Sequence, residues 1–529
     1  MSTSDEQVGE AGDLTPGNTI ADLEQRRSRA LAMGGPERIQ RHHESGRLTA
    51  RERLERLIDA GSWSELGLLA EPELRRAELV AADAVVTGFG RIGGRRVAVV
   101  AVDATVLAGT TSPITMQKQD RIAAWAGRRG IPLIFLADND GGRLPDVLGW
   151  RFSRVAFDFS TFLQTPVGCP EIPRMCAVLG ASFGDSSLHS AMSHFVVLKR
   201  DAAIALSGPP VVKGAIGEDV SAQELGGPEV ASEVNGSAHL VVEDERQAIH
   251  ELRRFLSYMP DSAALPAPVA PPADPARDPQ ELVHLVPEDG RRGYDMRKVL
   301  EAIVDGDSLL HWGERFGPSL LCALARIDGN AVGVIASQPQ QRAGVMDVPA
   351  LTKEARFVEV CETFNLPMIF LQDVPGLMIG VHAEKAGVLR AYEQVVTRLA
   401  RATVPKIAVI VRKAYGGGHI ALGGRPVKPD LLLAWPTAEI GFMAPETGVQ
   451  TVHRRRLAEM LEQNGREAHD ELAADLEAAW AAESEPWEAA RHVVLDDVID
   501  PRQTREAIMA GVEFGWGSGP RVTQTGWRS

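Results

Sequence analysis

Short apolar runs alternate along this chain with longer segments whose apolar residues recur every three or four positions. Runs of the first kind predict buried strands, and segments of the second kind predict helices. We find no hairpin signals between the runs, so the alternation favours α/β units in which helices cover a sheet. The predicted strands with their following loops are 96–102, 133–142, 175–184, 331–337, 368–376 and 406–418, and the helices between them are 115–128 and 350–364.

This pattern occurs twice, with a constant offset of 235 residues. Such self-similarity is the signature of a repeated structural unit. It predicts two domains of one fold, which can share a site made from both. The matching pairs are Arg91–Gly94 with Arg326–Gly329, Ala108–Gly109 with Ala343–Gly344, and Ile131–Asp138 with Leu366–Asp373.

The rest of the chain divides around the two copies. Residues 1–18 are polar and predict a disordered tail, and Ile20 to Leu68 predicts helices. The Pro/Ala-rich start of 263–290 cannot continue a helix and predicts an extended linker. We therefore expect an N-terminal domain over 19–262 and a C-terminal domain over 291–529 that includes a helical pair at Arg454 to Glu483.

Composition narrows the function classes. A formal net charge of −15 argues against nucleic acid as the main partner. The four cysteines form no zinc or redox spacing, so we expect reduced thiols, no metal and a cytoplasmic protein. No apolar run approaches the ~18 residues of a membrane span, which predicts that the chain does not enter a membrane.

Glycine-rich segments follow predicted strands in both copies. Glycine lets the backbone approach a ligand closely, and one N–H donor aimed at an oxyanion contributes about 3–4 kcal/mol. Tight turns between strand and helix explain each segment equally well, but their repetition in register favours a functional site. The segments are Asn139–Arg143, Ser182–Asp185 and Tyr415–Gly418.

Motifs of several other enzyme classes are absent. Neither the G-x-S-x-G motif of serine hydrolases nor a dinucleotide or P-loop motif occurs. His382, His419 and His453 stand alone in the sequence. Lys118 could meet an anionic cofactor tail, although a solvated lysine is the ordinary interpretation.

A series of longer strings runs from Met33 to Pro501 and is densest in the second copy. The strings are Met33–Arg41, Gly46–Ser62, Glu224–Gly227, Ala343–Asp347, Ala355–Val358, Asp373–Gly376, Ala402–Lys406, Arg412–Gly417 and Ala434–Glu439. Together they resemble the carboxyltransferase β subunits of biotin-dependent acyl-CoA carboxylases, the acetyl- and propionyl-CoA carboxylase β family.

The resemblance implies two tandem crotonase-like (ClpP/crotonase) domains of the α/β class, preceded by an N-terminal helical segment. The first domain would hold acyl-CoA and the second carboxybiotin. The N–H groups of Gly417 and Gly418, in a cofactor-binding loop with Gly416, would meet the biotin ureido oxygen. Those of Gly184 and Asp185 would meet the thioester oxygen. The substrate-binding residues implied are Gly141, Gly142, Arg143, Lys118, Tyr415 and Ile420.

The chain departs from the family pattern mainly in the first copy. The family's Gly-Gly is Gly184-Asp185 here, and a carboxylate beside an enolate would repel it unless it turns away to meet an arginine such as Arg143. The family's Gly-Gly-Ser-x-Ser-Gly-x-His loop is Ala108 to Thr115, without that histidine. Ile420 replaces an aspartate that lines the family's acyl pocket, which suggests a more apolar or differently shaped acyl group.

We therefore expect a carboxyltransferase subunit that moves a carboxyl group from carboxybiotin to the α carbon of an acyl-CoA. A decarboxylase subunit that runs the transfer towards biotin, and a silent structural partner of an active β subunit, stay open as alternatives. The chain has no biotin-accepting Ala-Met-Lys-Met string. Biotin must then arrive on another protein, a biotin carboxylase or biotin carboxyl carrier subunit. The family's site implies a homo-oligomer, from a dimer to a hexamer, or a mixture with another β subunit.

Overall fold

The computed structural model describes residues 19–74, 80–155 and 168–516. The predicted disordered tail, 1–18, lies outside these residues. The described residues form two compact units. The first contains residues up to Ala231 together with Val241–Arg253, and the second contains Ser232–Leu240 together with the chain from Arg254 onwards.

The first half of the chain carries nine helices and eight strands within the described residues. The helices are α1 Thr19–Leu31, α2 Pro36–Glu44, α3 Ala50–Leu57, α4 Pro113–Arg129, α5 Phe152–Val155, α6 Asp185–Ala191, α7 Pro209–Ile216, α8 Ala222–Gly226 and α9 Glu245–Tyr258. The strands are β1 Ser64–Leu66, β2 Val85–Ile92, β3 Arg95–Val102, β4 Leu133–Asn139, β5 Arg174–Phe183, β6 Phe195–Lys199, β7 Ala203–Ala205 and β8 Leu240–Val242. The predicted N-terminal helical segment thus comprises α1 to α3, but it ends before β1.

The second half repeats this plan. Its helices are α10 Leu282–Leu285, α11 Met296–Glu301, α12 Val348–Thr363, α13 Val381–Ala386, α14 Val388–Arg401, α15 Gly416–Ala421, α16 Pro445–Val452, α17 Arg454–Glu483, α18 Pro486–Arg491 and α19 Thr504–Gly515. Its strands are β9 Leu310–His311, β10 Leu320–Ile327, β11 Asn330–Ser337, β12 Met368–Val374, β13 Lys406–Tyr415, β14 Leu431–Ala434, β15 Glu439–Gly441 and β16 Asp497–Val498. Single turns of 3-10 helix occur at 107–109 and 342–344, among other places.

Each half builds one eight-stranded mixed sheet. The first runs β1-β2-β3-β4-β5-β6-β8 with β7 beside β5, and the second runs β16-β14-β13-β12-β11-β10-β9 with β15 beside β13. The central strands β3, β4, β5 and β6 pair in parallel, as do β11, β12, β13 and β14. All seven residues of β4 and of β12 are buried, as expected for parallel strands covered on both faces.

The 235-residue offset persists in three dimensions. Asp138 and Asp373 are each the penultimate residue of their strand, β4 and β12. A parallel bridge joins Thr111 to Gly142 in the first unit, and its counterpart joins Met346 to Leu377 in the second. The structural pairing therefore confirms that the two copies are one fold.

The expectation that hairpins are absent was wrong. Strands β2 and β3 pair antiparallel around Gly93 and Gly94, and β10 and β11 do so around Asp328 and Gly329. Gly-Gly and Asp-Gly are typical hairpin turns because both central residues adopt positive φ, and these four do. The signals were therefore present in the repeated strings that begin at Arg91 and Arg326.

The segment predicted as a linker lies with the second unit. The Ala270 N–H donates to the Gly329 carbonyl at 3.0 Å, and the Asn365 amide donates to the Ala263 carbonyl at 2.9 Å. Its end also contains α10. The predicted helical pair corresponds to α17, in which Gly465 breaks the helix with a φ of 83°.

Candidate active-site loops

The loops that follow β3, β4 and β5 meet at one edge of the first sheet. The Thr111 N–H donates to the Gly141 carbonyl at 2.8 Å, and the Arg143 N–H donates to the Thr111 carbonyl at 2.7 Å. Gly184 follows β5, and a Cβ built on it would lie 3.7 Å from the Cα of Gly141. The structure thus brings together the predicted residues Gly141, Gly142 and Gly184, at the strand ends where parallel sheets bind ligands.

Asp185 closes this loop cluster. Its Oδ1 accepts a hydrogen bond from the Thr111 hydroxyl at 2.7 Å, and its Oδ2 is buried without a hydrogen-bond partner among the described residues. Burial raises the pKa of Asp185 to about 6, against the opposing hydrogen bonds from Thr111 and from the N–H groups of Asp185 and Ser186.

Arg143 does not meet Asp185, so the arginine pairing considered as an alternative for that carboxylate is not formed with Arg143. Its guanidinium forms an ion pair with Asp83 and donates to the Thr110 carbonyl at 2.7 Å. Asp83 also accepts from the Ser112 hydroxyl, which caps α4. Because Arg143 is 4% exposed and its charge is neutralised, it holds the loop together and is a poor substrate ligand.

Lys118 is likewise a structural residue. It lies on α4, and its ammonium group donates to the carbonyls of Ala82 and Val85. Burial lowers its pKa to about 8. Lys353, at the equivalent place on α12, donates to three carbonyls, including that of Leu320 at 2.6 Å. The amine is therefore committed to the backbone in this structure, and a substrate-binding role for Lys118 stays a prediction.

One of the two expected oxyanion donors in the first unit is already in use. The Gly184 N–H donates to the Leu206 carbonyl at 3.1 Å. Its φ of 66° and ψ of −126° at the start of α6 belong to a region open only to glycine. Gly184 thus shapes the loop, and its N–H is not free for a thioester oxygen.

In the second unit, the corresponding loop begins at the end of β13. A Cβ on Gly416 would lie 2.8 Å from the Phe442 carbonyl oxygen, and Gly416 has a φ of 51°. A Cβ on Gly418 would lie 2.6 Å from a methyl group of Val374. Gly416 and Gly418 are therefore required by the local backbone or packing, quite apart from any ligand.

Gly417 faces a more adaptable surface. A Cβ there would lie 2.9 Å from Leu377 Cδ1 and 3.5 Å from Tyr392 Cζ. These side chains come from the loop after β12 and from α14. Leu377 and Tyr392 therefore pack directly against Gly417, beside the first N–H groups of α15, which have no acceptor within the helix.

The residues after this loop are anchored. The His419 Nδ1 lies 2.8 Å from the Gln372 side-chain oxygen, while the Gln372 amide donates to the Leu422 carbonyl at 2.6 Å. Burial lowers the pKa of His419 to about 4, so the ring is neutral at neutral pH. Ile420 is half-buried on the same helix.

Tyr415 lies at the wall of a cavity of about 470 Å³ in the second unit. Its phenol donates to Glu439, and burial together with that carboxylate raises the Tyr415 pKa. Lys413 also lines the cavity, and its ammonium group donates to the Gly290 carbonyl at 2.6 Å. The opposite side of the cavity is made by Ala474, Glu477, Ala478 and Ala481 of α17.

Sequence reasoning assigned no role to a second concavity, in the first unit. It has a volume of about 380 Å³ and is lined by Arg38, Arg41, His42, Ser45, Ala104, Thr105, Leu107 and Ala108. Leu107 and Ala108 carry positive φ values in the turn whose counterpart is 342–344. The signal that could have found it was the pair Arg38 and Arg41, one helical turn apart before the first copy.

Two classes of feature are not found in the described chain. Within residues 19–74, 80–155 and 168–516, no helix combines the length and apolar character that crossing a bilayer requires. In the same ranges, no three His, Cys, Asp or Glu side chains converge as a metal site.

Comparison with known proteins identifies a family and several relatives that this chain resembles. The carboxyl transferase domain family matches residues 41–522. The propionyl-CoA carboxylase beta chain of Saccharopolyspora erythraea is 34% identical over 525 residues, 96% of this chain and 95% of that protein. The methylmalonyl-CoA decarboxylase subunit alpha of Propionigenium modestum is 30% identical over 498 residues, 93% and 94% of the two chains.

A solved structure extends the match to three dimensions. The crystal structure of transcarboxylase 12S, a hexamer with methylmalonyl-coenzyme A and methylmalonic acid bound, superposes with a TM-score of 0.88 at 31% identity. It covers 98% of this chain and 100% of its own. The likeness confirms the predicted α/β class with two tandem crotonase-like domains. The chain belongs to the carboxyl transferase family, with the β subunits of acyl-CoA carboxylases.

Proposed function

We propose that this chain transfers a carboxyl group between carboxybiotin and the α carbon of an acyl-CoA. The proposal depends on one observation: the two units have equivalent sheets, and in each unit a glycine-lined loop leads from the end of a central strand into a short helix. Two such loops offer two places where backbone N–H groups can face an oxygen that gains negative charge. Donors that are fixed before the reaction stabilise such charge more than water does.

The loop from Gly416 to Gly418 supports biotin binding. Gly417 is flanked by the side chains of Leu377 and Tyr392, and its lack of a Cβ lets a ligand approach the loop backbone closely, which suits a flat, largely apolar bicycle. Carboxybiotin would bring both the carboxyl group and the base to the reaction. The chain's own contribution is to receive the ureido oxygen on N–H groups and to exclude water, and no catalytic side chain is needed at this loop.

Acyl-CoA binding is supported by the first unit. Arg38 and Arg41 line the cavity beside Ala108, and guanidinium groups suit the phosphates of coenzyme A. The loop cluster of Gly141, Gly142 and Asp185 would hold the thioester end. Gly141 leaves room there, because a Cβ on it would have one neighbour within 4 Å, Phe183 Cβ, at 3.9 Å.

Oligomerisation and a separate biotin protein complete the proposal. Each unit exposes an apolar segment after the strand that holds the same place in the repeat, β4 in the first unit and β12 in the second. Leu144, Leu148, Trp150 and Phe152 are exposed in the first unit, and Ile379, Val381 and Leu389 in the second. Such patches mark association surfaces, and the related transcarboxylase 12S is a hexamer. A biotin carrier or biotin carboxylase subunit would deliver the carboxyl group.

Two other functions keep specific support. The similarity to a methylmalonyl-CoA decarboxylase subunit favours transfer in the opposite direction, towards biotin. Asp185, at a position where the family has glycine, favours a subunit that has lost activity and supports a catalytic β subunit.

The test uses the purified full chain with an acyl-CoA series and with biotin delivered on a carrier protein and its carboxylase. We expect labelled bicarbonate to enter at least one acyl-CoA, in a biotin-dependent manner. Malonyl- and methylmalonyl-CoA with free biotin as acceptor test the reverse direction. Turnover only in that direction would favour the decarboxylase, and no turnover with any thioester in either direction would favour the silent subunit.

A further inference from the structure

Asp185 occupies an unusual place for a carboxyl group. It stands beside Gly184 and Gly141, and a Cβ built on either glycine would find no atom closer than 3.7 Å. A small ligand group therefore has room next to both glycines. Of the two carboxyl oxygens, Oδ1 is bound to Thr111 and Oδ2 is buried with no hydrogen-bond partner in the described chain.

The hydrogen bonds around Asp185 have a fixed direction. The Gly141 N–H can only donate, so Asn139 Oδ1 accepts from it and the Asn139 amide nitrogen faces away. That nitrogen donates to Thr111 Oγ1 at 2.9 Å. The Thr111 hydroxyl accepts this hydrogen bond and keeps its own hydrogen, which it donates to Asp185 Oδ1 at 2.7 Å. Since Oδ1 receives this hydrogen, a proton on the carboxyl group belongs on Oδ2.

The surroundings favour that proton. The titratable groups on the elements next to Asp185 are Asp138, Asp140, Arg143, Arg174, Cys176 and His189. Arg174 forms an ion pair with Glu171, and burial raises the pKa of Cys176 to about 12. Asp138 is paired with Arg53, Arg143 is paired with Asp83, and Asp140 is exposed. Burial lowers the pKa of His189 to about 3, so its ring carries no charge. No cation in this set is left to stabilise an Asp185 carboxylate. Burial outweighs the hydrogen bonds from Thr111 and from the N–H groups of Asp185 and Ser186, so the neutral acid predominates below about pH 6.

We propose that Asp185 acts as a neutral carboxylic acid whose Oδ2–H donates a hydrogen bond to the thioester oxygen of the acyl-CoA. This role rests on the proposed function. It takes the place of the Gly184 N–H, which is bound to Leu206. A neutral acid held in an apolar site is an effective donor to an enolate oxygen, and it removes the charge repulsion that a carboxylate would create.

The chemistry balances without proton transfer at Asp185. The α C–H bond of the acyl group breaks and its proton leaves to the base that biotin brings. The electron pair moves onto the thioester oxygen, where Oδ2–H meets it. The bond from the carboxyl carbon to the biotin nitrogen would break with its electron pair left on biotin, which supplies that base. A new bond then forms from the α carbon to the released carboxyl carbon, and the thioester oxygen returns to a carbonyl. Asp185 keeps its proton throughout and contributes only the hydrogen bond.

Asp185→Asn is the informative variant because the amide fits the same network. Its oxygen can accept from Thr111 while its N–H₂ takes the place of Oδ2–H at every pH. We expect wild-type kcat/KM for the acyl-CoA to fall about tenfold per pH unit above the Asp185 pKa. The Asn/wild-type ratio of kcat/KM should therefore rise with pH. Taking the ratio cancels the pH dependence of the biotin steps, because both enzymes share it. Asp185→Ala, which has no donor, should lose activity at every pH.

A direct titration complements the kinetics. With carboxyl-labelled aspartate, the NMR signal of Asp185, assigned by its loss in Asp185→Asn, should titrate near pH 6. Thr111→Val removes the hydroxyl that stabilises the carboxylate and should raise that midpoint. A constant Asn/wild-type ratio of kcat/KM across pH, or an Asp185 signal that titrates near pH 4, would overturn the inference. If wild type, Asn and Ala variants all carboxylate no thioester, the proposed function fails with it; if they carboxylate with parallel pH profiles, only the role of Asp185 fails.

Discussion

Glu354 is a carboxyl group buried on α12 with neither oxygen hydrogen-bonded in the described chain. Burial alone raises its pKa well above the ordinary value. The folded protein therefore holds a proton here that the unfolded chain releases above about pH 4.5. Because the folded state binds more protons, the free energy of unfolding falls as pH rises from there towards the folded pKa.

Replacing the Glu354 carboxyl group should remove this decrease in the free energy of unfolding at high pH. Glu354→Met, of similar length and without a polar atom, should stabilise the protein at pH 8 and have a smaller effect at pH 5. Chemical denaturation at both pH values measures the difference. The same substitution at the exposed residue Glu462, also in a helix, serves as the control. A Glu354→Met effect equal at the two pH values would contradict a protonated buried acid.

At the loop after β13, Gly417→Val should block biotin. The branched side chain would contact Leu377 and Tyr392 on the face of the loop that is proposed to receive biotin. We expect carboxyl exchange with free biotin to fall by about 100-fold or more, comparable to the loss of an oxyanion donor, with the thermal midpoint nearly unchanged. Gly214→Val is a suitable control, since a Cβ on Gly214 in α7 meets no atom within 4 Å. If Gly417→Val exchanges carboxyl groups with free biotin at the wild-type rate, biotin does not bind at this loop.

At the scale of elements, the sequence allows the repeat to be found but hides how its parts are bonded. The segments Ile131–Asp138 and Leu366–Asp373 can be matched in the sequence because each contains a buried strand. A buried strand requires a run of apolar residues, and that run is visible in the sequence. Whether Lys118 or Arg143 faces a ligand depends on partners distant in sequence. Lys118 meets the carbonyls of Ala82 and Val85, and Gly184 is engaged by Leu206. None of these pairings leaves a spacing signal.

The two hairpins provide a matched pair for a stability prediction. Asp59 accepts hydrogen bonds from the N–H groups of Gly93 and Gly94, and Asp305 accepts from the equivalent turn at 328–329. Only Asp305 of the two is buried, and it also pairs with Arg505 at 2.7 Å.

Asp305→Ala should therefore cost more than Asp59→Ala. Removing one partner of a buried ion pair costs about 3–5 kcal/mol, whereas exposed turn hydrogen bonds contribute about 0.5–1.5 kcal/mol each. Denaturant midpoints of both variants measure the difference. Equal losses would mean that the Arg505 pair adds nothing to the turn.

At the scale of the whole molecule, the equivalent apolar segments predict association. Leu144 is 71% exposed and Ile379 is 84% exposed, and water would contact both in a monomer. We expect the wild-type chain to sediment as a dimer or larger, up to a hexamer, at micromolar concentration. Leu144→Glu and Ile379→Glu should shift it towards monomer, because a charge cannot be buried there without a partner. Val269→Glu, at an exposed site outside both segments, should not. A wild-type monomer would refute the assembly.

The path of the chain between the two units limits how this protein can be divided. The chain enters the second unit at Ser232, returns to the first at Val241 and leaves it again at Arg254. The excursion is part of the second unit's structure: His239 stacks on Trp312 at 3.9 Å, and its carbonyl accepts from the Gly313 N–H at 2.9 Å. No single cut can therefore yield two complete halves. A gene split at the apparent boundary would leave the C-terminal product without Ser232–Leu240, and we expect that product to lose the contacts that His239 makes with Trp312 and Gly313.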